Sequence, residues 1–280
     1  MTTVFHVSDL HFGWPAVTEQ IDAIEEIIER EKFDVVAISG DLTQRSRSGE
    51  FQRARAFIRD ANKVSRVITV PGNHDVAWWR APLGFGEKSK VYENYRKYID
   101  RNLEPVLQVS GATFVGINTA HGVTRRTLTW NLRDISIIGD IHKKQLDQAK
   151  KIFDKSAPRD ARVIVMHHNP VRGELSQRHG LKNTQKILGA FAEMGVDLVL
   201  CGHDHQESVH YIEHTRKGTV ISTAGTVSNR SRGGRPSSVN VIDIGLKTIE
   251  VSTHVWTNAE RTFAKGPHKC FKRSEYVAPE

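Results

Sequence analysis

Apolar and polar positions divide the first two hundred residues into repeating strand, polar tip and helix units. The run Val4-Phe5-His6-Val7 begins as a buried strand and leaves the core at Ser8-Asp9-Leu10-His11. Along extended chain successive side chains face opposite ways, so Asp9 and His11 share one face. Val17, Ile21, Ile24 and Ile28 then recur at helical spacing, predicting a helix from Val17 to Glu31 with acids on its other side. Val35 to Ser39 reads as a strand ending in Gly40-Asp41. A second helix is expected over Glu50 to Asn62, with Phe51, Ala54, Phe57 and Ile58 on one side. A third strand, Arg66 to Val70, ends in Pro71-Gly72-Asn73-His74-Asp75. Three such units predict an α/β layered domain with its polar tips at the C-terminal strand ends, where open α/β sheets carry their sites.

Residues 76–105 interrupt this rhythm. Trp78 and Trp79 follow the third tip directly, a Gly/Pro-containing loop comes next, and a helix is expected around Val91 to Ile99. The segment reads as a lid-like insertion whose tryptophans grip an apolar or base-like part of a ligand, or as aromatics packed under a surface loop. Thr113 to Asn118 resumes as a strand. A polar stretch follows from Thr119 to Asp134, and an apolar run covers Ile135 to Ile138. A helix is expected over Lys143 to Phe153. A strand over Arg162 to Met166 ends in His167-His168, a helix covers Thr184 to Met194, and a strand over Val196 to Leu200 ends in Cys201-Gly202-His203-Asp204-His205.

Beyond His205 only strand patterns remain: Ser208 to Glu213, Thr219 to Thr223, Ser238 to Ile244 and Thr248 to Trp256, separated by turn signals such as Lys217-Gly218 and Gly233-Gly234. The chain is therefore divided at 257, with a weakly patterned basic tail over 258–280. The 280 residues are sufficient for a full core. No apolar run is long enough to cross a membrane, and the N-terminus lacks the pattern of a signal peptide. Two cysteines far apart, Cys201 and Cys270, argue against a disulfide framework and fit a reducing cytoplasm. The net charge of +8 suits a phosphate-rich partner or simply a basic solvent face.

Assembled in order, the tips are Asp9-Leu10-His11, Gly40-Asp41, Gly72-Asn73-His74, His167 and Gly202-His203-Asp204-His205. This series resembles the calcineurin-like metallophosphoesterase superfamily, whose signatures occur in the same order, each after an apolar strand. In look it is similar to the class III cyclic-nucleotide phosphodiesterases and glycerophosphodiesterases of that superfamily. The resemblance implies an αββα sandwich of four layers, with two mostly mixed sheets flanked by helices and a metal site at one sheet edge. It also implies two divalent cations. Asp9, His11, Asp41 and His205 would take one, Asp41, Asn73, His167 and His203 the other, with Asp41 as the bridge. Mixed oxygen and imidazole donors suit manganese, iron, zinc or cobalt. Paired ions about 3.5–4 Å apart share a hydroxide that attacks a phosphoryl group in line. His74 would face the phosphate as a catalytic group, and Asn73 would touch it too. Many family members carry an acid three residues after the bridging Asp to orient that histidine. Here Gln44 stands there, leaving Asp75 or a backbone carbonyl to orient His74.

Three further places need a reading. Gly139-Asp140-Ile141-His142 imitates two signatures but lies where the family has no ligand, so Asp140 is expected in a loop or cap before the Lys143 helix. His168 and Asp204 are expected to point away from their ligating neighbours. Arg230, Arg232 and Arg235, in a Ser/Gly/Arg loop, either contact an anionic ligand or form a solvated loop. The reading preferred is a metal-dependent phosphodiesterase of small phosphodiesters, a cyclic nucleotide or a glycerophosphodiester, with Trp78 and Arg230 as candidate substrate contacts. A nuclease, or a pyrophosphohydrolase of a nucleotide–lipid with a chain groove around Trp78 to Phe85, is the alternative. A non-catalytic binding scaffold comes last, because a scaffold does not need the full ligand set. An oligomer is compatible with all three.

Overall fold

The computed structural model describes residues 1–81, 85–87, 90–122, 138–175, 180–214 and 218–273. Two six-stranded sheets stack face to face. The first has the order β12-β11-β10-β1-β2-β3, with β1 (Thr2–Val7), β2 (Val35–Ile38), β3 (Arg66–Thr69), β10 (Ser238–Ile244), β11 (Thr248–Thr257) and β12 (Thr262–Lys272). The second has the order β4-β5-β6-β7-β9-β8, with β4 (Val106–Val109), β5 (Ala112–Gly116), β6 (Ala161–His168), β7 (Leu198–Gly202), β8 (Ser208–Ile212) and β9 (Thr219–Thr223). Both are mixed. Strands β1, β2 and β3 run parallel, as do β5, β6, β7 and β9, while β10 to β12, β4 and β8 add antiparallel pairs.

The alternation read in the sequence sorts side chains between layers. In β2, Val35 and Ala37 face the space between the sheets, and Val36 and Ile38 face the outer helices. Strand β6 repeats this, with Val163 and Val165 inward and Ile164 and Met166 outward. Helices α1 (Thr18–Glu31), α2 (Ser48–Ala61) and α3 (Glu93–Tyr98) cover the first sheet through Ile24, Ile28, Phe51, Phe57 and Tyr95. Helices α4 (Lys143–Phe153) and α5 (Thr184–Glu193) cover the second through Phe153, Ile187 and Phe191. Each such fully buried side chain contributes about 1.5–3 kcal/mol. The result is the expected four-layer αββα arrangement. Among the described residues no helix is long and apolar enough to cross a membrane.

Two strands escaped the sequence pattern. Strand β4 is a short edge strand. Strand β12 lies within the stretch read as a weakly patterned tail and pairs along β11 from Thr248↔Lys272 to Thr257↔Thr262. Its middle, Lys265 to Cys270, is solvent-exposed, so no inward face marks it. Lysines and Pro267 blunt this open edge against pairing with another chain. The apolar run at 135–138 falls, apart from its last residue, outside the described residues.

Candidate metal centre

All five tips meet at one end of the sandwich. Parallel β1 and β2 bring the first two together, and β6 and β7 supply the last two from the facing sheet. A cross-sheet bond fixes their approach: His167 Nδ1 lies 2.8 Å from the Ser39 carbonyl oxygen. The backbone is strained here. Asp9 (φ 55°), His11 (φ 46°), Asp41 (φ 51°), His203 (φ 74°) and His205 (φ 54°) all adopt left-handed conformations. Each such non-glycine residue costs about 1–3 kcal/mol and persists only where its surroundings over-determine it. Here the amides of Asp9, His11 and Phe12 donate to the carbonyls of Gly40, Asp41 and Leu42, at 3.1, 3.0 and 2.8 Å. Beside Gly40 (φ 90°), the tight turning thus falls on the ligating residues themselves. Gly72 and Gly202 serve close approach instead. A Cβ on Gly72 would overlap the Asp41 amide and carboxylate, and one on Gly202 would overlap Ser8 and Asp9.

The side chains fall into two groups. In the first, one atom each from Asp9, His11, Asp41 and His205 lies within 4.8 Å of the others, all buried. Asp9 Oδ1 is 3.1 Å from His205 Nε2 and 3.6 Å from His11 Nε2, yet it has no properly directed hydrogen bond. His11 Nε2 and His205 Nε2 lie 3.1 Å apart, and a carboxylate oxygen left unbonded among such converging nitrogens forms a cradle for a cation. In the second group, Asn73 Oδ1 lies 3.1 Å from His167 Nε2 and 3.0 Å from His203 Nδ1. Asp41 stands between the groups: its Oδ2 is 3.9 Å from His11 Nε2 and 3.3 Å from His167 Nε2.

Protonation states fit this reading. Burial alone would raise Asp9, but the charge of His205, its close contacts with His11 and His205, and the charge of His167 hold it well below the usual carboxylate range. Burial likewise opposes ionised Asp41, and His167, His74 and His11 outweigh it. Burial takes His11 down to about 4 and, with the charge of His167, His203 down to about 3. Burial opposes the proton on His167 as well, but Asp41 raises it to about 9. Ionised carboxylates and neutral imidazoles are the forms that ligate metals, and a cation bound here would take the place of the His167 proton.

Around this core the neighbours divide. His74 Nδ1 donates to the Gln44 carbonyl oxygen at 2.8 Å, so a backbone carbonyl, not Asp75, orients the ring. Its Nε2 is left as an acceptor, 3.1 Å from Arg230 Nη1, and the same guanidinium nitrogen donates to Gln44 Oε1 at 3.1 Å. The Arg230 carbonyl in turn lies 3.0 Å from His205 Nδ1, which directs Nε2 of that ring toward Asp9. Asp75 instead accepts from the amides of Leu42, Thr43 and Gly72 and from the Thr43 hydroxyl, at 2.8–3.1 Å, tying the second tip to the third. Burial, then the charge of Asp41, pushes it up to about 7.

Among the described residues the imitation signature joins no group of converging metal donors. Asp140 lies in the loop before α4, 3.7 Å from His142, and His142 itself occupies the cap position. Asp204 sits 3.8 Å from Arg232, away from the centre. His168 departs from expectation, because one of its ring atoms lies within 4.8 Å of His167 and His203. The pairing of β6 with β7 is irregular between Val165 and His168, which breaks the strict alternation that would have separated them. Its Nδ1 is 2.7 Å from the Thr119 hydroxyl, so it packs behind His203.

A cleft of about 810 Å³ opens beside the centre, reached through Asn73, His74 and Arg230. Trp78 and Trp79 line it, their rings 6.0 Å apart and edge to face. So do Arg45, Arg47 and Arg80, which the sequence reading passed over. Their available signal was position: Arg45 and Arg47 follow the Gly40-Asp41 tip within six residues. Arg235 is engaged by Glu174 and Glu207, so of the three loop arginines Arg230 is the one that faces the cleft.

Residues 2–207 match the family model described as calcineurin-like phosphoesterase. The chain is 26% identical over 187 residues to the 3′,5′-cyclic adenosine monophosphate phosphodiesterase CpdA of Haemophilus influenzae, a match covering 64% of this chain and 57% of that protein. The chain thus spans little more than half the length of that relative. Among solved structures it is similar to the purple acid phosphatase PPD1 from yellow lupin seeds, with a TM-score of 0.69 and 10% identity over 97% of this chain and 54% of that one. It is also similar to GAP50, the anchor in the inner membrane complex of Plasmodium, with a TM-score of 0.60 and 15% identity over 99% of this chain and 90% of that one. At these identities the likeness is one of fold.

Proposed function

Because the chain belongs to the calcineurin-like phosphoesterase family, we propose that it is a dinuclear-metal phosphodiesterase acting on small phosphodiesters of the cyclic-nucleotide or glycerophosphodiester kind. The observation that carries this is the place of Asp41, with one oxygen within 4 Å of an imidazole from each ligand group. Asp9, His11, Asp41 and His205 would hold one cation, and Asp41, Asn73, His167 and His203 the other. The donor set suits manganese, iron, zinc or cobalt. Such ions supply an activated water near neutral pH and neutralise phosphoryl charge.

The chain's own residues do the rest. The strained tips hold the donors in place before substrate arrives, so no reorganisation is needed at the moment of reaction. Arg230 directs N–H donors toward the mouth of the centre, where a guanidinium binds phosphoryl oxygens with charge-assisted hydrogen bonds. His74, held by Gln44, contacts the phosphoryl group beside it. With Nδ1 committed as donor to a carbonyl and Nε2 accepting from Arg230, the ring orients and accepts. Trp78 lies on the wall where the remainder of the substrate sits. The two free thiols, Cys201 and Cys270, support a reducing cytoplasmic setting.

The test is a manganese-loaded panel of bis(p-nitrophenyl) phosphate, 3′,5′-cyclic AMP, a glycerophosphodiester and the monoester p-nitrophenyl phosphate. Diester turnover should exceed monoester turnover by about tenfold or more in kcat/KM. Turnover of the monoester alone overturns the phosphodiesterase reading. Full metal occupancy with no turnover at all favours the scaffold.

A further inference from the structure

We propose that the cleft beside the centre is a second anion subsite, and that the substrate is a nucleotide carrying a phosphate beyond the one that is cleaved. This rests on the phosphodiesterase reading and narrows it. Three observations carry it: size, charge and aromatic lining.

The cleft's 810 Å³ lies in the upper part of the range of about 300–1,000 Å³ typical of small-molecule sites. A cyclic nucleotide or glycerophosphodiester bound at the centre leaves much of that space unfilled. The charge is one-sided. Arg45, Arg47, Arg80 and Arg230 line the cleft, and among the described residues no acid does. Arg230 is tied to His74 and Gln44, and Arg80 to Glu93. Among the described residues neither Arg45 nor Arg47 has a carboxylate within ion-pair distance, so both are available to a ligand. A simple phosphodiester has one negative charge, and that sits at the metal centre. Two more free guanidiniums call for a second anionic group, which their planar forks bind in bidentate fashion.

The aromatic lining supplies the base. Trp78 is half-buried and Trp79 is 52% exposed, so both offer ring surface to the cleft that the arginines also line. Stacking on such a face is worth about 1–3 kcal/mol per base. Apart from the tryptophans, Val76 is the apolar residue of the lining, which is too little to form a groove for an acyl chain. The cleft therefore fits base plus phosphate, not lipid.

The experiment compares the wild type with the double variant Arg45→Ala/Arg47→Ala, both positions being exposed loop sites whose side chains support no core. The first measurement is calorimetric binding of adenosine 3′,5′-bisphosphate, which presents a base and two phosphates without a diester to cleave. The double variant should bind about tenfold more weakly, and equal affinity overturns the subsite. The second is kcat/KM for the dinucleotide pApA relative to bis(p-nitrophenyl) phosphate, which should fall by about the same factor. An unchanged ratio, or a wild type that prefers 3′,5′-cyclic AMP to pApA, also overturns it. If the wild type hydrolyses no diester, the phosphodiesterase reading fails, and the calorimetric result still decides the subsite.

Discussion

The metal centre and the cleft adjoin each other but are built in opposite ways. The centre is made of buried and half-buried side chains at strand ends, with five residues held in left-handed backbone conformations by neighbouring strands. The cleft is made of loop side chains, with Arg45, Arg47, Trp79 and Arg80 exposed. Rigid, strained elements suit a reaction whose donors must stand within fractions of an ångström. Exposed loops suit selection, because they change without disturbing a core. A substitution in the centre should therefore remove the chemistry from every substrate. A substitution in the cleft should re-rank substrates.

The largest effect separates the two regions most sharply. Asp41→Ala removes the one carboxylate near both imidazole groups, and Asn73→Ala removes the oxygen between His167 and His203. Each should lower kcat on bis(p-nitrophenyl) phosphate by about a thousandfold or more, together with loss of bound metal by elemental analysis. Full activity in both variants would defeat the two-metal assignment.

His74→Ala probes the boundary between the regions. The imidazole touches Gln44 and Arg230 and lies beside Asn73 without being one of the converging donors. Turnover should drop by about a hundredfold while metal content stays at the wild-type level. Loss of metal would make His74 a ligand and move the boundary outward.

The same contrast explains what the sequence disclosed. The centre was legible because each ligating pair ends an apolar run, so strand periodicity fixed both where the chain leaves the core and which side chains share a face. His168 was misjudged because that rule assumes a regular strand, and β6 is irregular where it matters. The orientation of His74 was left open between Asp75 and a carbonyl, since choosing needs the fold of the second tip against the third. The cleft arginines were nearly illegible. An exposed arginine on a loop carries no periodicity, and only contact with His74 distinguishes Arg230 from Arg232. Strand β12 was hidden for a related reason: its middle faces solvent, so nothing alternates.

The smallest effect sharpens the cleft side alone. Arg80 is held by Glu93 at 2.8 Å, with the two side chains 40% and 52% exposed. Such a surface pair is worth about 0.2–1 kcal/mol. Glu93→Gln leaves Arg80 free to turn toward the second phosphate, so kcat/KM for pApA should rise by up to about threefold, the factor that fits within that energy. Because the contact is exposed, the gain should fade as salt is raised and the Debye length shrinks toward about 3 Å at 1 M. The centre is buried and should not register the change, so kcat on bis(p-nitrophenyl) phosphate should match the wild type at every salt concentration. An equal rise on both substrates would mean that Glu93 acts on the centre through Arg80, and the two regions would then have to be treated as one.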